Sequence, residues 1–338
     1  MTNTTGEAAA VATYADSVEP GGRAMAVLRA VVGRMAELVL VVAFLMVFIS
    51  VVIRLIPGDP ALAILGARAS STQIDSLREQ LGLNVPVPTQ IAQSLWGAVQ
   101  GDFGDSLTQG RPVLEIVLEA LPVTLSIVLI ATLLSVLIGI PIGLIPAIRN
   151  SKLMGSFIST TSLVFLAVPP FVFALLLILV FAINLGLAPA GGWGGSWPAN
   201  LTYAWLPAFA LALGITPTLV RAVHRSAGEV MNEEFIDAAT ARGIPRHRVV
   251  FGHLLPNVML PVITLVGFNA SFLLAGAIVI EAVFGIPGFG QVVQIAVSSR
   301  DYPLILGLTV VSGIFVITIN LLTDLMHAVA DPRIRTKK

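Results

Sequence analysis

Along this chain, long apolar runs alternate with short segments in which the charged residues collect. About 20 consecutive apolar residues cross the hydrocarbon of a bilayer as a helix. Residues 38–53 are apolar except for Ser50, which with the flanks predicts a first span over 36–56. No charge occurs between Glu119 and Arg149, and a second span is expected over 121–148. Residues 153–220 are again uncharged, too long a stretch for one helix. The segment 186–200 divides it with five glycines, two prolines and two tryptophans, which predicts spans over 157–185 and 203–223 with an interfacial turn between them. A fifth span is expected over 258–280 and a sixth over 303–327. Pro169-Pro170 leaves a count of five open, if the third hydrophobic run dips into the membrane and returns.

Six spans place both termini on one side, and the basic residues choose which. With the N-terminus inside, 14 of the 19 Lys and Arg residues fall in cytoplasmic segments, and only Arg54, Arg68, Arg78, Arg111 and Arg300 fall outside. Residues 1–30 are Ala- and Thr-rich without an apolar run and read as a disordered cytoplasmic tail. No cleavage signal precedes or cleanly follows the first span, so it reads as a retained anchor. Residues 328–338 form a cytoplasmic tail.

Two polar segments stand apart. Residues 57–119 form an outer segment more acidic than basic. There Ser70 and Gln73 spell a capping box, Ile74, Leu77 and Leu81 share a helical face, and Gly82 fits a C-cap. It reads either as a small folded cap or as a solvated loop carrying a helix. Residues 224–257 lie inside. Acids lead and arginines follow from Glu233 to Arg242, complementing a helix dipole. Gly243 suits a left-handed C-cap, and Pro245 suits the first turn of a second helix. The pattern reads either as a helix–turn–helix that a partner could grip or as an amphipathic linker.

Composition narrows the function. Hydrophobic residues make up 56% of the 338 and charged ones 11%, against about 25% charged in soluble domains. The zero net charge gives no nucleic-acid face. The chain has no cysteine, which removes disulfides and thiolate chemistry. Its lysines are Lys152, Lys337 and Lys338, none in a phosphate-loop frame, so any ATP would be bound by another subunit. An intramembrane protease would need a Ser–His or paired-Asp constellation. The four histidines fall in cytoplasmic segments or at an interface, and no serine sits in a nucleophile turn. An ion-coupled carrier would need carboxylates near the midplane, and none is expected there. The polar groups Thr216, Thr218, Asn269, Ser271 and Asn320 are expected mostly to bond neighbouring helices. Asp324 and His327, one turn apart, are expected to pair or to anchor at the interface. Kinks are expected at Pro141, Pro146 and Pro169-Pro170.

Several motifs in register carry a resemblance. Glu234-Phe-Ile-Asp-Ala-Ala-Thr-Ala-Arg-Gly243, followed after nine residues by His253-Leu-Leu-Pro256, resembles the EAA motif of bacterial ABC importer permeases. Asp237 replaces the usual Glu, and His253 a usual Ile. Pro57-Gly-Asp-Pro60, Gly101-Asp-Phe-Gly-Asp-Ser106, Leu121-Pro-Val-Thr-Leu125, Glu281-Ala-Val-Phe-Gly-Ile-Pro-Gly-Phe-Gly290, Arg300-Asp-Tyr-Pro303 and Asp331-Pro-Arg-Ile-Arg335 are similar to the first permease subunit of the dipeptide/oligopeptide/nickel group. The resemblance covers about 27–335. It implies an all-α polytopic protein with six transmembrane helices of the ABC importer type I permease fold, in a bacterial inner membrane. It implies a non-catalytic half-channel without cofactors. Its partners would be a second permease, two ATPases and an extracytoplasmic binding protein, and its solute a peptide or, alternatively, a nickel chelate, glutathione or another small solute. Glu234, Asp237, Ala238, Ala239, Gly243, Leu255 and Pro256 would couple it to the ATPases. Pro169, Pro170 and Asn269 are candidates for the path or its hinges.

Overall fold

The computed structural model describes residues 70–80 and 85–330, and before them residues 33, 36, 37, 39–48 and 51. The expected Gly82 cap, the N-terminal tail, residues 331–338 and all of 52–69 lie outside the described residues, while 328–330, expected in the C-terminal tail, are helical. Everything that is described is helix, turn or loop apart from one isolated bridge, Asp105 to Pro112. The helices are α1 (Val39–Phe48), α2 (Ser71–Gln80), α3 (Val87–Gln100), α4 (Val113–Arg149), α5 (Lys152–Ala167), α6 (Pro170–Leu177), α7 (Leu201–Met231), α8 (Glu234–Ala241), α9 (Arg246–Val249), α10 (Leu255–Phe284), α11 (Phe289–Ser298) and α12 (Tyr302–Ala330). Wide turns over Ile178–Asn184 and Val250–Leu254 extend α6 and join α9 to α10.

Among the described residues, α4, α7, the run from α9 through α10, and α12 are each long and apolar enough to cross a membrane. The third expected span is not one straight helix. α5 and α6 meet at 90°. Val168 (ψ 121°) and Pro169 (ψ 142°) are both extended, because a residue before proline is pushed out of the helical region and two prolines in sequence impose this twice. By contrast α4 runs unbroken through Pro122, Pro141 and Pro146, so single prolines do not end this helix. It begins at Val113, inside the expected outer segment, with Val113, Ile116 and Val117 buried. Of the first expected span, α1 is described, with Met46 buried.

α7 is the centre of the bundle and packs on α4, α5, α6 and α10. Of its apolar window 61% is buried within the chain, against 33% for α4 and 28% for α12. The outer helices therefore keep surface for lipid or for another chain. Close approach explains the seam between α4 and α7. A Cβ on Gly143 would stand 2.7 Å from the Val223 side chain, and Gly139, one turn away, faces Leu219. This small-xxx-small spacing lets two membrane helices touch backbone to side chain.

Most hydroxyls within the helices bond backwards, not sideways. Thr216 donates to Ala212 O at 2.6 Å and Ser271 to Gly267 O at 3.3 Å. The expectation of bonds between helices fails for these two, because a carbonyl four residues back is always within reach of such a side chain. Among the described residues, Thr218, Asn269 and Asn320 make no side-chain hydrogen bond. His327 bonds Thr264 of α10 at 2.9 Å, so the last turn of α12 is tied to its neighbour.

Candidate functional site at two ends of the bundle

Two clusters of motif residues sit at opposite ends of α7 and α10. The first is built on Gly243. α8 starts with Glu234 and Asp237 in its first turn, where acids complement the exposed N–H groups. It ends in a Schellman turn. Gly243 has φ +73°, its N–H donates to Thr240 O at 2.9 Å, and the Ile244 N–H reaches Ala239 O at 3.2 Å. Glycine takes this left-handed geometry without the strain a Cβ brings. Pro245 then caps the short α9. Ile236 and Ala239 are buried against Val249, Val230, Met231 and Ile244. Glu234, Phe235, Asp237 and Ala238 are exposed. Phe235 stands 6.4 Å, ring to ring, from His253. Leu255 is half-buried in the neighbouring apolar cluster, and Pro256 is exposed in the first turn of α10. The structure thus gathers the EAA-like residues around one turn, with Ala238 facing out and Ala239 in.

The second cluster was not legible as a site from sequence. Glu281 and Asp301 are both fully buried, and no other carboxylate among the described residues is. Glu281 lies in the last turn of α10, inside the helix and not beyond it as expected. It accepts hydrogen bonds from Thr124 Oγ1 of α4 and from the Gln291 N–H at 3.1 Å. Thr124 in turn accepts the Phe289 N–H at 2.8 Å. The glycines of the 285–290 motif now have a reason. Gly285 ends α10 at φ +58°, a Cβ on Gly288 would run into the Glu281 carboxylate, and one on Gly290 into the Ile278 backbone as well as that carboxylate. Asp301 caps α12 through the Leu304 N–H at 3.3 Å. It also accepts from Ser106 Oγ at 2.6 Å, Thr108 N–H at 3.0 Å and Thr108 Oγ1 at 2.8 Å. Each carboxylate therefore ties a late element to one before or within α4. A buried acid set in an Arg-Asp-Tyr-Pro or Glu-Ala-Val-Phe string was the one available signal, and it names no partner.

Pro169 and Pro170 lie at the α5–α6 bend, with Pro170 3.0 Å from where a Cβ on Gly214 of α7 would sit. Asn269 is half-buried on α10.

Residues 139–336 match the family described as binding-protein-dependent transport system inner membrane component, and residues 27–128 match its N-terminal region. The chain belongs to this family. It is a multi-pass membrane permease, a transport component of an ABC importer. Among similar transport permeases, a Brucella suis biovar 1 protein whose name describes a peptide permease is 37% identical over 86% of this chain and 94% of its own length. The oligopeptide transport system permease protein AppB of Bacillus subtilis is 34% identical over 84% of this chain and 92% of its own. The permease of the MetNI methionine ABC transporter in an inward-facing form superposes with a TM-score of 0.54 at 18% identity, covering 64% of this chain and 96% of that one. The MetNI likeness speaks for the shared transport-permease fold alone.

Proposed function

We propose that this chain is the half-channel of a peptide importer, with α8 as its contact to a separate ATPase. The family supplies the transport role, and the names of relatives such as AppB support peptides as the solute. The observation that carries the coupling role is the mounting of α8. Only Ile236 and Ala239 are buried, so the helix rides on the bundle by one apolar edge, with Glu234, Phe235 and Ala238 turned to a partner. A second permease would complete the path, and an extracytoplasmic binding protein would deliver the solute. ATP would be hydrolysed by the partner chains, since this chain has no phosphate loop. The segment 224–257 and both termini face the cytoplasm, and 57–119 faces outward, as the basic residues direct.

Two measurements test this. Ser71 and Ala241 are exposed, and the cysteine-free chain makes Ser71→Cys and Ala241→Cys clean probes. An impermeant maleimide applied to intact spheroplasts should label the first and spare the second. The reverse pattern overturns the orientation. Asp237→Lys reverses a first-turn charge that both complements the helix dipole and lies exposed on α8. It should leave membrane abundance unchanged while lowering ATPase co-purification and peptide uptake. Full uptake in that variant would reduce α8 to a linker.

A further inference from the structure

Behind α8 lies a cleft of about 870 Å³ walled by the end of α4, the start of α5, the end of α7 and the turn from α8 to α9. Its α5 wall has a regular make-up. Lys152, Gly155, Ser156 and Ser159 recur at helical spacing and all line the cleft. At 1.5 Å per residue this stripe is about 10 Å deep, somewhat more than the polar layer of one leaflet. Arg246, at the start of α9, also lines the cleft. Among the described residues, Lys152 and Arg246 have no ion-pair partner, and Ser156 and Ser159 make no side-chain hydrogen bond. Asp237 is the single acid on the wall, so the two cations outnumber it. Nδ1 of His224, on the α7 wall, is buried without a partner.

Beside the polar stripe, α5 carries a second face. Leu153 is 85% exposed and Phe157 70%. Each follows a cleft-lining residue by one position, so an apolar track runs alongside the cationic pocket. A free anion would use only the pocket, whereas an amphipathic phosphate ester would use both. We propose that this cleft binds the headgroup of an anionic phospholipid of the inner leaflet. Lys152 and Arg246 hold its phosphate, Ser156 donates to it, and an acyl chain lies along Leu153 and Phe157. Unpaired cations near a phosphate layer gain from it electrostatically, and hydroxyls in a membrane wall gain a partner they lack within the chain. A lipid seated there also braces the back of α8, which the chain itself holds only by Ile236 and Ala239. The leaflet assignment rests on the orientation proposed above, while the site itself does not.

The test uses the assembled importer in nanodiscs of phosphatidylcholine, with or without phosphatidylglycerol, and counts retained lipids by native mass spectrometry. Wild type should retain phosphatidylglycerol in preference to phosphatidylcholine. Lys152→Gln with Arg246→Gln should lose that preference by about fivefold per cation removed. Lys152→Arg should keep it, which separates lost charge from misfolding. Equal phosphatidylglycerol retention in wild type and the double variant overturns the site. Stabilisation of the lipid-poor assembly by inorganic phosphate alone, equal to that by phosphatidylglycerol, overturns the lipid in favour of a free anion. Loss of the ATPases from the double variant with lipid retention intact assigns the cleft to a protein partner instead. A lipid preference together with inverted labelling at Ala241 overturns the inner-leaflet placement and leaves the pocket standing.

Discussion

The two ends of this bundle are built by different means. At the Glu281 end, two buried carboxylates bind elements far away in the chain. Ser106 and Asp301 are separated by 195 positions, and Thr124 and Glu281 by 157. At the Gly243 end the hydrogen bonds are local. The turn bonds within six residues, one small apolar cluster holds α8, and the charged side chains are exposed. Buried polar groups fix geometry because leaving any one of them unpaired is costly. Short-range bonds and a few apolar contacts fix a shape without fixing its place on the bundle. An end made to keep its form and an end made to move with a partner would differ in this way.

The sharpest way to break this contrast is at Asp301. Alanine there removes four hydrogen bonds at once, uncaps α12 and strands the buried Ser106 hydroxyl, while the exposed Thr108 can turn to water. Bonds to a charged acceptor contribute about 1.5–3 kcal/mol each and are not additive. A loss of about 3 kcal/mol is therefore expected from Asp301→Ala, read as a large fall in membrane abundance and in thermal midpoint. A variant as stable as wild type would show that the buried carboxylate does not lock this end.

Glu281 should be the next most sensitive. Glu281→Gln keeps an acceptor for Thr124 or for Gln291 N–H but turns one oxygen into a donor amide facing backbone donors. A loss of about 1–3 kcal/mol is expected. Glu281→Leu should cost more than the amide, since both Thr124 and the Gln291 N–H lose their acceptor. If leucine proves milder than glutamine, the network is a tolerated remnant and the 285–290 glycines need another explanation.

These two residues also show where reading the chain stops. Hydrophobic length marked α4, α7, α10 and α12 because crossing a membrane is a property of a continuous stretch. Gly243 was legible because its constraint is local: a helix that ends two residues before Pro245 must turn, and glycine turns at positive φ. The Ser70 capping box was legible for the same reason, and its reciprocal bonds form at 3.0 and 3.3 Å. Glu281 and Asp301 were not. Their partners lie more than 150 positions away, and nothing in a run of residues reports what folds against it. The α5–α6 bend falls between these cases. Pro169-Pro170 marked the break, but its 90° angle depends on how α6 packs against α7.

At the other end, Gly243→Val tests the contrast from the opposite side. No atom stands near the position where a Cβ would be, so the whole effect is the strain of a β-branched residue at φ +73°. That strain is about 1–2 kcal/mol, and it falls on a turn bonded only to α8. Abundance and thermal midpoint should stay near wild type, while peptide uptake and ATPase co-purification drop. A fall in abundance as deep as that of Asp301→Ala would mean that the two ends are equally structural.

The smallest effect should come from the shortest ion pairs among the described residues. Arg111 reaches Glu119 at 2.7 Å and Glu115 at 2.8 Å, close to the Asp301 site and as short as its bonds. Glu119 and Glu115 push the guanidinium further above its already high range, so it stays charged at any working pH. Yet the three side chains are 40%, 61% and 53% exposed. Water solvates these charges whether or not they pair, salt screens them, and holding three long side chains together costs rotamer freedom. Asp301 has neutral donors but is fully buried, so water does not take their place at its carboxylate. Arg111→Ala should therefore leave abundance, thermal midpoint and uptake indistinguishable from wild type, with no dependence on ionic strength. A marked loss that high salt reproduces in the unmodified protein would mean that charge at this surface, and not burial, is what holds the Glu281 end.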